Sequence, residues 1–271
     1  TIHYDLMDGS SLKFSDEQPN ESPYVPTPFP PMPGGIAPNA GPEVAMRAPT
    51  LWAALHLAAE RSDGARPSVL ISVTQNIEAF AATCADKLDS WQSLQLPRYR
   101  AVNEMDERWI RCLASAADYF SRESVEYRLL ERGIAIHHGK IPGLLARRLK
   151  ILIDCGYVRV IIATSTLSEG VNLPVNYLLI PSVCRGQACM KLQEFRNLIG
   201  RAGRPGFASE GHALVVLPQR TYARDKYGRR HIRQSRQWDG FANLKSELEA
   251  TTTADARATI DESSSPLWHL L

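Results

Sequence analysis

A short, continuously apolar run near the middle of the chain constrains its fold more than any other feature. Residues 157–163 read Tyr-Val-Arg-Val-Ile-Ile-Ala, a run that is rich in β-branched side chains and has almost no polar alternation. A strand with this pattern is covered on both faces, as strands are in a parallel sheet. A strand with one solvent-exposed face would instead alternate apolar and polar residues. The run therefore predicts a buried strand in an α/β fold.

Four similar runs recur along the chain, and helical patterns separate most of them. They lie at residues 67–73, 134–136, 176–182 and 211–217. Strands that alternate with helices are joined by right-handed crossovers, which build one parallel sheet with helices on both sides. We therefore predict an α/β fold in which a five-stranded parallel sheet is flanked by helices.

Helical patterning, capping residues and glycine or proline stops predict seven helices. Thr50 is expected to cap the first of them, and Asn76 with Thr74 and Gln75 the second. Trp91 and Trp109 are expected to be packing residues rather than platforms on which bases stack. The predicted helices are residues 51–61, 77–88, 104–120, 122–132, 142–154, 191–202 and 238–250.

Both ends of the chain differ in composition from this central pattern. Residues 2–7 and 10–14 flank Asp8-Gly9, a hairpin signal, and residues 18–49 hold ten of the eighteen prolines. Such a stretch indicates a linker or surface arm, or else a proline-rich partner motif. We predict three regions: residues 1–66 with the hairpin, the Pro-rich arm and a helix, a central domain over 67–218, and a basic extension over 219–271.

The basic extension carries seven Lys or Arg and one acid between residues 220 and 236, with Tyr222 and Tyr227 interleaved. Clustered positive charge with aromatic residues is typical of a nucleic-acid stripe, and a solvated extension explains the composition equally well. Beyond the helix at 238–250, residues 251–265 are expected to be loosely ordered.

Overall composition indicates little about partners, because 31 basic and 29 acidic residues leave a net charge of only +2. Five cysteines without a Cys-x-x-Cys pair predict reduced thiols in a cytoplasmic protein rather than zinc ligands or disulfides. No apolar run approaches the length of about 18 residues needed to span a membrane, so no membrane contact is expected. The chain begins in mid-pattern at Thr1, which suggests a piece of a longer polypeptide.

Polar residues that suit phosphate chemistry follow the central strand. Residues 164–172 supply hydroxyls, a carboxylate, a glycine and an amide just beyond the carboxyl end of the strand, where open α/β sheets bind ligands. Residues 197–206 read Asn-Leu-Ile-Gly-Arg-Ala-Gly-Arg-Pro-Gly, with Arg201 and Arg204 three residues apart. If one helix carries both, their guanidinium groups lie on one side, and two such planar groups suit a phosphate chain.

Three segments in this order resemble a known family. Residues 134–139 (Ile-Ala-Ile-His-His-Gly), 163–174 (Ala-Thr-Ser-Thr-Leu-Ser-Glu-Gly-Val-Asn-Leu-Pro) and 197–206 are similar to the second, C-terminal RecA-like domain of superfamily 2 DExD/H-box helicases, in particular the superkiller-type branch. The resemblance covers roughly residues 67–218. Asn197 departs from it, because that branch usually has glutamine there.

The resemblance implies roles for individual residues. Arg201 and Arg204 would act as arginine fingers, and a second set of residues would border the nucleotide: Gly170, Asn172, Asn197, Gly200 and Gly203. A third set would face the nucleic-acid backbone: Thr74, Gln75, His138, Gly139, Thr164 and Thr166. The pair His137 and His138 is not expected to hold a metal, because adjacent residues of a strand point to opposite faces.

The resemblance also implies ATP and Mg²⁺ as cofactors, both bound mainly by an N-terminal RecA-like domain of the same polypeptide. This chain has no Gly-x-x-x-x-Gly-Lys-Ser/Thr loop and no acidic box, so by itself it is expected to be inactive. The predicted function is the C-terminal motor domain of an ATP-dependent helicase that acts on single-stranded DNA or RNA. The alternative is a non-motor nucleic-acid-binding or scaffold module with a helicase fold. An unrelated doubly wound transferase or dehydrogenase is disfavoured, because no Gly-x-Gly-x-x-Gly follows a strand.

Overall fold

The structure is a computed structural model that describes most of the chain. The described residues are 2–7, 12–14, 30, 32–34, 42–101, 104–164, 175–202, 211–217, 222–224, 227, 230–232 and 236–263. The strands are β1 (Ile2–Met7), β2 (Leu12–Phe14), β3 (Val69–Val73), β4 (Ile134–His137), β5 (Val160–Thr164), β6 (Tyr177–Ile180), β7 (Cys184–Arg185), β8 (Ala188–Cys189), β9 (His212–Leu217), β10 (Tyr222–Arg224) and β11 (Arg230–Ile232). The helices are α1 (Pro42–Ala45), α2 (Arg47–Leu57), α3 (Ile77–Ser90), α4 (Glu107–Phe120), α5 (Val125–Glu131), α6 (Gly143–Asp154), α7 (Leu192–Ile199) and α8 (Arg236–Ser263).

The five predicted strands form one parallel sheet, in the order β9-β6-β3-β5-β4. This confirms the predicted α/β architecture. The predicted hairpin also forms, since β1 pairs antiparallel with β2. In addition β1 pairs parallel with β9, which adds the hairpin to one side of the sheet. Nothing in the amino-acid pattern predicted that pairing, because it joins residues more than two hundred positions apart.

The sheet is buried on both faces, as its apolar strands require. In β5 the alternating neighbours Ile161 and Ile162 are both fully buried, and they contribute to opposite cores. Helices α2 and α3 cover one face, and α4, α6, α7 and α8 cover the other. Trp91 and Trp109 are 3% and 2% exposed, so both are packing residues as predicted.

Helix α2 begins a turn earlier than predicted and ends at Leu57. Thr50 is not its cap: the backbone N–H and the hydroxyl of Thr50 both donate to the carbonyl of Met46, as in a helix interior. The earlier start is possible because Pro49 lies in the first turn, where backbone N–H groups have no helical partner and proline costs little. Asn76 precedes α3 with a left-handed φ of 52°, and its side chain makes no capping hydrogen bond.

Two helices near the end of the chain differ from their predicted lengths. Helix α7 ends at Ile199, so Arg201 lies in the turn that follows rather than in the helix, and the predicted helix over 191–202 is too long. Helix α8 continues to Ser263, which corrects the expectation of loose order after residue 250. Among the described residues, no helix has both the length and the apolar character needed to cross a membrane.

A disulfide joins Cys184 and Cys189, which corrects the prediction that all five cysteines are reduced thiols. The two-residue turn between β7 and β8 places these cysteines directly opposite each other, with their Cα atoms 3.8 Å apart. The pair could not be predicted from the sequence, because two-residue strands leave no recognisable pattern. The other cysteines are free thiols, and burial raises the pKa of Cys112 to about 12.

Gly240 of α8 packs directly against this disulfide. A Cβ atom at Gly240 would lie 2.5 Å from the Sγ of Cys184 and 2.8 Å from the Sγ of Cys189. Both distances are shorter than a carbon and a sulfur atom tolerate, so α8 can approach the hairpin this closely only with glycine at position 240.

Gly240→Ala should therefore destabilise the protein by about 1–3 kcal/mol, the usual cost of forcing an extra methyl group into a packed site. Urea unfolding of the oxidised protein measures this effect. Gly143→Ala is the matched control, because a Cβ at Gly143 meets nothing within 4 Å. Equal stability of the two variants would contradict the packing described for Gly240.

Candidate nucleotide and nucleic-acid interface

The parallel sheet brings several predicted nucleic-acid residues to one edge. Val73 of β3 pairs with Thr164 of β5, and Ala163 of β5 pairs with His137 of β4, so these three neighbouring strands end together. Thr74, Thr164 and the turn after His137 therefore lie side by side at the carboxyl edge of the sheet. These positions are separated by up to 90 residues in sequence, and the fold brings them together.

Gln75 at this edge is held by an acidic partner. Its side-chain amide donates to both carboxylate oxygens of Glu43, at 2.9 Å each, which connects the end of β3 to α1. Thr74 and Gln75 are both half-buried. A phosphate group would therefore meet the Thr74 hydroxyl more readily than the Gln75 amide, which is already hydrogen-bonded.

The turn after β4 has one buried and two exposed residues. His138 is 6% exposed, whereas Gly139 and Lys140 are exposed. The Nδ1 atom of His138 accepts from the backbone N–H of Lys140 at 3.3 Å, so in the neutral ring the proton is on Nε2. That Nε2 lies 3.5 Å from the carboxylate of Glu126, a long contact that makes His138 a partner of α5. The surface of this turn is formed by Gly139 and Lys140.

Carboxylates are close to several cationic or amide groups along this edge. Lys140 forms a 2.7 Å ion pair with Glu78 on α3, and the hydrogen bond from Lys140 lowers the pKa of Glu78. The contact with His138 lowers the pKa of Glu126 in the same way. Together with Glu43, these acids offset positive charge where a polyanion would bind. None of these contacts could be predicted from the sequence, because Glu43, Glu78 and Glu126 belong to no motif and only the fold brings their carboxylates to the partners.

Arg201 lies at the opposite edge of the sheet. Its neighbour Ala202 forms a parallel bridge with Val175, which precedes the first residue of β6. Helix α7 therefore runs back along the sheet, and the turn that contains Arg201 is at the amino ends of the strands. The backbone N–H of Arg201 donates to the carbonyl of Leu198 at 3.2 Å, and the residue is half-buried rather than sealed in the core.

Asn197 and Gly200 form the last turn of α7 and are both exposed. The side-chain oxygen of Asn197 accepts from the amide of Gln193, one turn earlier on the same helix. Gly200 leaves the backbone uncovered beside Arg201, and a Cβ there would approach only the carbonyl of Arg196, at 3.3 Å. A phosphate-bearing ligand could thus reach this turn without displacing a bulky side chain.

Five predicted site residues lie outside the described residues: Thr166, Gly170, Asn172, Gly203 and Arg204. Three of them belong to residues 165–174, the segment that connects Thr164 at the carboxyl edge to Val175 at the amino edge. The chain therefore passes from one edge to the other through this segment, which holds Thr166, predicted to contact nucleic acid, and Gly170 and Asn172, predicted to border the nucleotide.

Comparison with known proteins gives partial matches to helicases. Antiviral helicase SKI2 of Saccharomyces cerevisiae is 38% identical over 92 residues, which is 32% of this chain and 7% of that protein. ATP-dependent DNA helicase Hel308 of Aeropyrum pernix is 37% identical over 92 residues, which is 12% of its length. Helicase POLQ-like of Drosophila melanogaster is 34% identical over 89 residues, or 8% of its length. No family model matches the chain.

The buried contact between His138 and Glu126 predicts a pH-dependent contribution to stability. A carboxyl group with a lowered pKa stabilises the fold at a pH above its unfolded-state pKa, and that contribution is lost as the pH falls through the folded-state pKa. His138→Leu should therefore destabilise the protein more at about pH 7 than at about pH 3, as measured by urea unfolding.

Glu126→Gln provides the control, because it removes the titrating group. In this variant the pH dependence of the His138→Leu effect should be smaller than in the wild type, because the carboxyl group whose pKa the contact lowers is absent. A difference between His138→Leu and the wild type that does not change with pH would contradict the assigned contact.

Proposed function

We propose that this chain, which is partially homologous to superfamily 2 helicases over stretches of about ninety residues and more, is the C-terminal motor domain of an ATP-dependent helicase. The observation that carries the proposal is the two-edged arrangement of the motifs. Thr74, Gly139 and Thr164 converge at the carboxyl edge of one sheet, and Arg201 lies at its amino edge. This arrangement would give the chain one surface for a nucleic-acid strand and another for a nucleotide held by a second domain.

At the carboxyl edge, the chain would hold a single strand of DNA or RNA by its backbone. The exposed backbone of Gly139 and the hydroxyls of Thr74 and Thr164 supply donors that suit phosphate oxygens. Contacts of this kind position a nucleic acid without reading its bases, so binding would tolerate many sequences. Gln75 and Thr166 are the other residues that we assign to this track, and His138, which is buried against Glu126, would support the turn that carries Gly139.

At the amino edge, Arg201 and Arg204 would complete a nucleotide site that another domain begins. Fixed positive charge near a transferring phosphoryl group stabilises the transition state and can be worth about 10³–10⁵ in rate. Gly170, Asn172, Asn197, Gly200 and Gly203 would border the nucleotide. ATP and Mg²⁺ would be held mainly by an N-terminal RecA-like domain of the same polypeptide, because this chain lacks the phosphate loop and the acidic box.

In the proposed motor, the two edges would be coupled along the chain. Residues 165–174 join Thr164 to Val175, which is bridged to Ala202 next to Arg201. Movement of Arg201 toward a bound nucleotide would therefore be transmitted through Val175 and this segment to the residues that hold the strand. Repeated closure and release of the two domains would shift the strand along the carboxyl edge.

One observation favours a second candidate, a non-motor binding or scaffold module. Gln75, Lys140 and His138 are each in contact with a carboxylate, so the carboxyl edge is less positive than its sequence suggests. Weak attraction for a polyanion would suit a module that retains the fold without translocating. The arginine substitutions below distinguish this candidate from the motor.

Arg204→Ala, and separately Arg201→Ala, should lower nucleic-acid-stimulated ATP hydrolysis at least about a hundredfold. The assay needs a polypeptide that joins this chain to its nucleotide-binding domain, because the isolated chain should hydrolyse no ATP. Arg196→Ala on α7 is the charge-matched control and should leave turnover unchanged. Near-normal turnover in both arginine-finger variants would favour the non-motor candidate.

Glu78→Gln should strengthen binding of a fluorescent single-stranded oligonucleotide about two- to fivefold at low salt. The substitution removes a negative charge at the carboxyl edge and leaves Lys140 available to a phosphate. Glu60→Gln is the control: Glu60 also pairs with a cation, Arg66 at 3.2 Å, but it precedes β3 and lies away from this edge. Equal anisotropy titrations for both variants would remove the carboxyl edge from the proposed track.

A further inference from the structure

The Cys184–Cys189 disulfide closes a hairpin that its own backbone also holds. Strands β7 and β8 place the two cysteines opposite each other, and the backbone N–H of Met190 donates to the carbonyl of Val183 at 2.7 Å just outside the pair. The cysteines are only five positions apart in sequence. A disulfide that closes so short a loop restricts the unfolded chain less than one that closes a long loop. The pair is therefore held in place by the hairpin, so the bond between the sulfurs can break and form again there.

The two cysteines differ in their access to solvent. Cys184 is 2% exposed, whereas Cys189 is an exposed residue. Thiol–disulfide exchange begins when a thiolate attacks one sulfur of a disulfide and the other sulfur leaves. A small thiol would therefore attack Sγ of Cys189, with Sγ of Cys184 as the leaving group. Positive charge nearby favours a thiolate, and the Arg236 guanidinium donates to the carbonyls of Gly186 and Gln187 in the turn between the cysteines.

Helix α8 packs on both sulfur atoms through Gly240. Gly240 is buried, and a Cβ atom there would lie 2.5 Å from Sγ of Cys184 and 2.8 Å from Sγ of Cys189. A disulfide keeps its sulfurs about 2.05 Å apart, whereas two thiol sulfurs approach no closer than their van der Waals radii allow. Reduction would thus separate the sulfurs on which Gly240 packs, and the close contact between α8 and the hairpin would be lost.

The first turn of α8 is bound to the same hairpin by hydrogen bonds. The side-chain oxygen of Gln237 accepts from the backbone N–H of Val183 at 2.9 Å and from that of Cys184 at 3.2 Å. The amide of Gln237 donates to the hydroxyl of Ser182 at 2.8 Å, and Gln237 is only 8% exposed. Buried polar groups that lose their partners destabilise the folded state. A shift of Cys184 would therefore also disturb the contacts that hold the start of α8.

The other three cysteines differ from this pair. Cys84 and Cys112 are buried free thiols, and burial raises the pKa of each. Because the thiolate is the reactive form, both are expected to be inert toward small thiols and disulfides. Cys155 is a free and exposed thiol outside the hairpin, so it serves as the internal control.

We propose that Cys184 and Cys189 form a reversible dithiol–disulfide switch that exchanges with low-molecular-weight thiols and controls the attachment of α8. The thiolate of one small thiol bonds to Sγ of Cys189, and Sγ of Cys184 leaves with the electron pair and takes up a proton. A second small thiol then attacks the small-molecule sulfur of this mixed disulfide. It releases Cys189 as a thiol and leaves as a small-molecule disulfide. Two electrons pass from the two small thiols to the protein.

The release of α8 would be local. Phe241 and Leu244 of α8 are 4% and 3% exposed, and they belong to the same core cluster as Leu178 and Val215 of the sheet. Reduction removes the contact at Gly240 and leaves the sheet itself intact. The switch does not depend on the proposed function, because it concerns only how α8 is held.

The test is hydrogen exchange, followed by mass spectrometry, on the oxidised 271-residue chain and on the same chain reduced with glutathione. Residues 240–247 of α8 should exchange at least about tenfold faster after reduction, while residues 69–73 of β3 should not change. Oxidised glutathione should restore slow exchange. Alkylation of the reduced protein should modify two thiols, at positions 184 and 189, that are protected in the oxidised protein.

Two variants complete the test. Cys155→Ser removes the exposed thiol outside the hairpin and should retain the full effect of reduction. Cys189→Ser cannot form the bond and should show fast exchange of residues 240–247 in both redox buffers. Equal exchange of α8 in oxidised and reduced wild-type protein would overturn the proposal. So would an effect that disappears in Cys155→Ser, or one that accelerates β3 as strongly as α8, because the latter indicates a global loss of stability.

Discussion

The structure depends on burial of both faces of five short parallel strands. Ile161 and Ile162 are neighbours in sequence and are both excluded from solvent, on opposite sides of the sheet. Each such side chain contributes about 1.5–3 kcal/mol when it leaves water. The helices that cover both faces are the crossover connections between strands, and such connections join strands that run in the same direction. All the carboxyl ends of the five strands therefore lie at one edge of the sheet. The two edges of the sheet are therefore chemically distinct before any functional residue is considered.

This separation organises the candidate site. Residues from three strand ends form a surface of hydroxyls and exposed backbone at the carboxyl edge, and the turn after α7 presents Arg201 at the amino edge. Helix α7 runs antiparallel to the strands. It therefore carries the chain from the carboxyl end of β6 back to the amino edge, where Arg201 lies. In the proposed motor, one edge would sense the nucleotide and the other would hold the strand, and residues 165–174 connect them.

Carboxylates lie beside several polar and cationic groups along the carboxyl edge. Near β3 and β4, carboxylates from α1, α3 and α5 accompany Gln75, Lys140 and His138. Beyond the carboxyl end of β6, the guanidinium of Arg236 at the start of α8 donates to carbonyls of the turn between β7 and β8. In the proposed track, the strand ends would therefore contribute mostly neutral donors.

The sequence by itself determined the parallel sheet, the hairpin and the positions of the motifs, because β-branched runs, helical spacing and turn residues are local signals. Only the tertiary structure decided that Arg201 lies in a turn beyond Ile199, that His138 faces Glu126 in the interior, and that Cys184 and Cys189 are bonded. It also decided that β1 extends the sheet beside β9 and that Glu43 and Glu78 flank the carboxyl edge. The physical reason is the distance in sequence over which each interaction acts. A strand or a helix is specified by its own few residues. An ion pair, a buried imidazole or a pairing of two strands distant in sequence depends instead on which segments the packing of the fold brings within a few ångströms of each other.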